Sequence, residues 1–157
     1  MKQIIRSFSC GLIFALFSGM GYGAELSKDW QTIDAGNFTL KAPSGWKFDS
    51  SPFFKTITCE LVGGKTILYY ESGGRNFLLR FEKEEKSPDY LVNHENREGR
   101  KLTICISKPP GKGKTGIFVD EYKDQGAFTF IGENINASQQ KIVLKIFRSI
   151  RFKKINK

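Results

Sequence analysis

Short alternating runs separated by glycine turns constrain this chain more than any other feature. Phe38, Leu40 and Ala42 alternate with Asn37, Thr39 and Lys41, and Ile57, Cys59 and Leu61 alternate with Thr56, Thr58 and Glu60. A period of two puts the apolar set on one side of an extended chain and the polar set on the other, the pattern of a half-buried strand. Gly63-Gly64 offers a tight turn into Thr66–Tyr70, and Gly73-Gly74 precedes Phe77-Leu78-Leu79-Arg80-Phe81, which reads as a further strand. Glu98-Gly99 separates Tyr90–Arg97 from Leu102–Ile106, and Gln125-Gly126 separates Ile117–Tyr122 from Ala127–Ile131. Turns this short join neighbours antiparallel, so the expectation is an antiparallel sheet of about seven strands.

One later segment has a helical period. Asn136 stands where a helix N-cap is needed, Gln139 follows three residues on as in a capping box, and Ile142, Val143, Ile146 and Phe147 then fall on one side. The opposite side carries Lys141, Lys145 and Arg148. After Ser149 the alternation of Ile150 and Phe152 with Arg151 and Lys153 marks a last short strand. A sheet with a C-terminal helix packed on it is an α+β layered fold.

The start of the chain has a different character. Lys2 and Arg6 precede an apolar stretch from Phe8 to Met20, followed by the small residues Gly21, Gly23 and Ala24. That is the layout of a secretory signal peptide, expected over residues 1–23, with one domain over 24–157. The apolar run falls short of the roughly 20 residues a membrane span needs, so no integral span is expected after cleavage. Cys10 lies inside the apolar run, poorly placed for a lipid anchor. An exported, periplasmic or extracellular, protein meets little ATP, GTP or reduced nicotinamide, and no cofactor is expected. Without Lys2 and Arg6, the 25 basic residues become 23 against 16 acidic ones, a charge of +7.

Two stretches resemble a known family. Phe38-Thr39-Leu40-Lys41-Ala42-Pro43-Ser44-Gly45-Trp46, extended and ending in Pro-x-Gly-Trp, resembles the opening of small exported proteins of the PsbP/Mog1-like fold. Val143–Phe152 resembles their closing helix and strand, and the chain is also similar to exported proteins of Bacteroidetes-type bacteria. The resemblance covers the two ends of the mature chain. It implies the layered fold, export and a binding or assembly role, and it supplies no catalytic residue.

Four constellations bear on chemistry. Gly113-Lys114-Thr115 matches the end of a phosphate-binding loop, but Lys108 occupies the position of the required first glycine, and a strand-like run follows where a helix is required. The stretch reads as a flexible basic connection. Cys59 and Cys105, an even pair in an oxidising compartment, permit one disulfide, although Cys105 points away from the face of Leu102, Ile104 and Ile106. Two buried free thiols is the competing reading. His94 is the only histidine, so a multi-histidine metal site is excluded and the residue reads as a surface imidazole on a hairpin. Glu82, Glu84, Glu85 and Asp89, mixed with Lys83 and Lys86 around Pro88, read as a solvated loop. Asn37-Phe38-Thr39 and Asn136-Ala137-Ser138 match the N-glycosylation pattern, relevant only in a eukaryotic secretory pathway.

The expectation for function is therefore a non-catalytic exported protein that binds or assembles with a partner. An immunity or inhibitor protein against a secreted toxin or enzyme, and a small hydrolase using His94 or dispersed carboxylates, are the alternatives. No acidic residue follows Glu133, while Lys141, Lys145, Arg148, Arg151, Lys153, Lys154 and Lys157 do. Such a field favours an anionic partner, an envelope component or an acidic protein, with Lys141, Lys145 and Arg148 as its face. Export and the lack of a basic-plus-aromatic recognition motif exclude nucleic acid.

Overall fold

A computed structural model describes residues 29–49, 58–72, 78–121 and 126–154. The expected signal peptide, the Gly73-Gly74 turn, Ile57, Phe77, Tyr122 and Gln125 lie outside the described residues. The chain folds in the order β1 (Trp30–Asp34), β2 (Phe38–Pro43), β3 (Lys47–Asp49), β4 (Thr58–Gly63), β5 (Thr66–Ser72), α1 (Leu78–Glu85), β6 (Tyr90–Arg97), β7 (Arg100–Ser107), β8 (Lys114–Val119), β9 (Phe128–Glu133), α2 (Ala137–Ser149) and β10 (Arg151–Phe152). Seven strands form one sheet in the order β3-β4-β5-β9-β8-β7-β6, and β1-β2-β10 form a second. All neighbours are antiparallel. The class is α+β, as the periodicity implies, with ten described strands in two sheets.

The hairpin at Glu98-Gly99 shows how the turns set register. Both residues have positive φ, 52° and 81°, which a two-residue turn needs if its twist is to match that of the flanking strands. Arg97 then pairs with Arg100, and each step back from the turn pairs the next residues, which brings His94 opposite Thr103.

Register also divides the side chains into two faces. Leu61, Leu68, Phe130, Ile117 and Leu102 point to one side and pack in a single core with Phe38 and Leu40 of the small sheet and Val143, Ile146 and Phe147 of α2. Phe38 stacks on Phe128 with ring centroids 4.5 Å apart, tying the small sheet to the large one, and Phe147 of α2 lies 6.5 Å from Phe130. The capping box of α2 forms as the sequence implies: Asn136 Oδ1 accepts from the Gln139 N–H at 3.0 Å, and Gln139 Oε1 accepts from the Asn136 N–H at 2.9 Å. Arg97 from β6 donates to the carbonyls of Phe147 and Ile150 at the other end of α2, satisfying acceptors that a helix leaves without intrahelical partners.

The other face carries a smaller cluster of Phe81, Cys105, Phe118 and Ile131 under α1. Two sequence readings change here. The run ending at Phe81 is not a strand: Leu78–Glu85 is a helix, and it takes in most of the charged stretch read as a solvated loop. Its anchor is Phe81, whose ring fills the space a side chain at Gly116 would occupy; a Cβ there would meet the Phe81 Cζ at 2.9 Å.

Candidate functional site

The three cations singled out from the sequence lie together. Lys141, Lys145 and Arg148 are exposed on the outer side of α2, at i, i+4 and i+7, a row about 10 Å long. None of the three makes an ion pair among the described residues. The rest of the basic tail differs. Arg151 Nε lies 3.8 Å from Glu98 Oε1, and Lys153 Nζ lies 2.7 Å from Asp34 Oδ2. Hydrogen bonds from Lys153, and then from the Gly36 N–H, hold the Asp34 carboxyl below its ordinary value. Lys141, Lys145 and Arg148 thus form a row of exposed cations on one side of the helix, next to the paired Arg151 and Lys153.

The β7–β8 connection is not a phosphate loop, since Lys114–Val119 is a strand and no helix follows. Nor is it loosely held. The Gly111 N–H donates to the Ile135 carbonyl at 2.7 Å, the Gly113 N–H to Asn134 Oδ1 at 3.0 Å, and the Asn134 N–H to the Gly113 carbonyl at 2.8 Å. Gln140 of α2 reaches across to the Ser107 carbonyl and Thr115 Oγ1. Gly111 and Gly113 supply the positive φ values, 85° and 75°, that this path requires.

Cys59 and Cys105 are free and buried. They sit on β4 and β7, four strand spacings apart in the sheet, about 19 Å, and they point to opposite faces. A disulfide requires Cα atoms within about 7 Å, so an intrachain bond does not form in this fold. Burial pushes both thiols above their ordinary value, and it takes Cys105 to about 12, with Glu84 adding to the rise and Lys114 opposing it. Glu84 faces Lys114 at 3.8 Å from a side chain only 11% exposed. Among the described residues, no group of three or more His, Cys, Asp or Glu is placed to hold a metal ion, and no helix is long and apolar enough to cross a membrane. The glycosylation-pattern residue Asn37 is exposed after the β1–β2 turn, whereas Asn136 is occupied as the α2 cap.

His94 is exposed, as the sequence implies, but it is not isolated. Glu85, at the last turn of α1, places Oε1 2.6 Å from His94 Nε2, and Thr103, opposite on β7, places Oγ1 3.1 Å from Nδ1. An ionised carboxylate only accepts, so in the neutral imidazole Nε2 carries the proton and Nδ1 accepts the Thr103 hydroxyl. The three side chains form an ordered line: carboxylate, imidazole, hydroxyl. Two cavities share Thr103 and Phe118 in their walls. A cavity of about 440 Å³ is lined by His94, Asn96, Lys101, Thr103, Phe118 and Asp120, among others. A smaller one of about 90 Å³ is lined by Phe81, Glu82, Glu85, Thr103 and Phe118. The His94–Thr103 half of this line follows from counting back from the Glu98-Gly99 turn. Glu85 has no such signal, because its place depends on how α1 docks.

Comparison with known protein families and with curated proteins finds no match to this chain.

Proposed function

We propose that this chain is an exported binding protein that uses the outer side of α2 to dock on an anionic component of the cell envelope. The observation that carries the reading is the row of Lys141, Lys145 and Arg148, exposed and without ion pairs among the described residues, on a helix whose other side is committed to the core. A charge that serves only the fold gains from a partner within it, as Lys153 has in Asp34. The resemblance of Phe38–Trp46 and Val143–Phe152 to small exported proteins of the PsbP/Mog1-like fold agrees with a binding or assembly role.

Retention on vesicles containing phosphatidylglycerol, or on a heparin-like matrix, tests the reading. The parent is expected to bind at low salt and release as salt rises, because exposed charges are screened beyond about 8 Å at physiological ionic strength. Each cation near an anionic surface contributes about 1 kcal/mol, so replacing Lys141, Lys145 and Arg148 with Gln should weaken binding by about 100-fold. Stability should stay within about 0.5 kcal/mol, since Val143, Ile146 and Phe147 are untouched. Equal retention of parent and triple variant sinks the proposal.

A further inference from the structure

On the face of the large sheet opposite α2, we infer a second site: Glu85, His94 and Thr103 form an acyl-transfer centre for short-chain esters, with Thr103 as nucleophile, His94 as base and Glu85 as the residue that positions it.

The inference starts from protons. With Nε2–H donated to Glu85 at 2.6 Å, the lone pair of Nδ1 is directed to Thr103 Oγ1 at 3.1 Å, inside the reach that nucleophile and base require. The carboxylate fixes the tautomer and supports the imidazolium that forms when the hydroxyl gives up its proton, the logic of hydrolytic triads on unrelated folds. The line is held from both ends: β6–β7 register sets His94 against Thr103, and α1, anchored by Phe81, brings Glu85 from outside the sheet.

Space is the second part of the argument. Thr103 and Phe118 line both cavities, so the nucleophile belongs to the wall the two share. The smaller, about 90 Å³ and walled by the Phe81 and Phe118 rings, suits a short acyl group. The larger, about 440 Å³, falls in the size range of small-molecule sites and suits the alcohol half. Lys101 and Asn96 line the same large cavity and offer N–H donors for the oxygen that becomes negative during attack.

The step balances without a cofactor. Thr103 Oγ1 forms a bond to the ester carbonyl carbon as His94 Nδ1 takes the hydroxyl proton. The carbon–oxygen bond to the alcohol then breaks, and the alcohol leaves with the proton from His94, which puts the acyl group on Thr103. Water repeats the sequence: it gives a proton to His94, attacks the acyl carbon, and releases the carboxylic acid while Thr103 recovers its hydrogen.

The test is hydrolysis of p-nitrophenyl acetate by the full chain. The parent is expected to exceed the buffer blank, to prefer acetate over octanoate, and to give an acetyl adduct on the Thr103 peptide by mass spectrometry when quenched early. His94→Gln should lower kcat/KM about 100-fold, the lower end of what a general base contributes. Thr103→Val, nearly the same shape, should abolish both turnover and adduct. Glu85→Gln should cost about 10-fold and shift the pH–rate profile, with Glu85→Asp recovering part of the loss; a bystander carboxylate would do neither. A parent rate equal to those of folded His94→Gln and Thr103→Val, or an adduct mapped to another residue, overturns the inference. Should Thr103→Val fail to fold, adduct mapping on the parent decides.

Discussion

The two faces of the large sheet are built to different standards. One is closed by α2 and the small sheet, which contribute Phe38, Leu40, Val143, Ile146 and Phe147 to a core running under most of the sheet. The other has the eight residues of α1, whose Phe81 joins the cluster there, and it leaves Ile67 38% and Tyr69 47% exposed. The closed face is held by apolar area, worth about 25 cal/mol per Å² removed from water. The open face adds polar ties at the end of α1, Glu84 to Lys114 and Glu85 to His94. The Glu85–His94 tie joins exposed groups and contributes less than buried apolar area, and few apolar contacts hold α1 beside it, so α1 belongs to the parts of the fold that open before the rest. The fold is held mainly on one face, and the other has room for cavities.

Truncating an aromatic on each face breaks or sharpens that comparison most strongly. Phe130→Ala, at the centre of the closed face, should cost about 3–5 kcal/mol in urea unfolding. Phe81→Ala should cost less, about 2 kcal/mol, because its site borders a cavity and collapses or hydrates more readily. It should also raise hydrogen exchange in α1 before α2. Equal costs, or exchange that rises everywhere together, would show that the two faces act as one unit. Gly116→Ala comes next. Its Cβ would lie 2.7 Å from the Phe130 carbonyl oxygen, which the sheet holds in place, and 2.9 Å from the Phe81 ring. Overpacking of that kind costs about 1–3 kcal/mol. Gly126→Ala, with open space around its Cβ, should stay within about 0.5 kcal/mol and serves as the control. A melting point for Gly116→Ala equal to that of the control would remove the proposed close fit between Phe81 and the sheet.

The same contrast decides what the sequence makes visible. The closed face is written in local patterns. The capping box at Asn136 and Gln139 and the stripe of Val143, Ile146 and Phe147 predict α2, and the Glu98-Gly99 turn predicts the β6–β7 pairing, because each depends on residues close in sequence. α1 is invisible to that reading. In the sequence Phe77-Leu78-Leu79 is a continuous apolar run with no helical spacing, so Phe77–Phe81 looks like a short strand followed by a charged loop. β1 and β3 are missed for a related reason: five and three residues give too few alternations, and their places are set by pairing with β2 and β4. The division into two sheets has no local signal either, because β10 reaches β2 across more than a hundred residues. The site follows the same rule. The basic row on α2 is read directly from helical spacing, whereas the line of Glu85, His94 and Thr103 requires α1 in position.

The smallest effect comes from a thiol on the open face. Burial, with Glu84 adding to it, pushes Cys105 from 9.0 up to about 12, so the folded chain keeps a proton that the unfolded chain releases near pH 9. A raised value means that this stabilisation is complete below about pH 9 and is lost as pH rises toward 12. The loss from this group should be on the order of 1 kcal/mol by pH 10 and grow as pH rises further. Unfolding free energies of the parent and Cys105→Ala across pH 8 to 11 isolate that share, since the lysines and tyrosines titrate in both. The variant should start lower, having lost a buried side chain, and then fall less steeply, so that the curves converge. Parallel curves would mean that water reaches the thiol in the folded protein, and that the cluster of Phe81, Phe118, Ile131 and Cys105 does not close as tightly as the burial of its members implies.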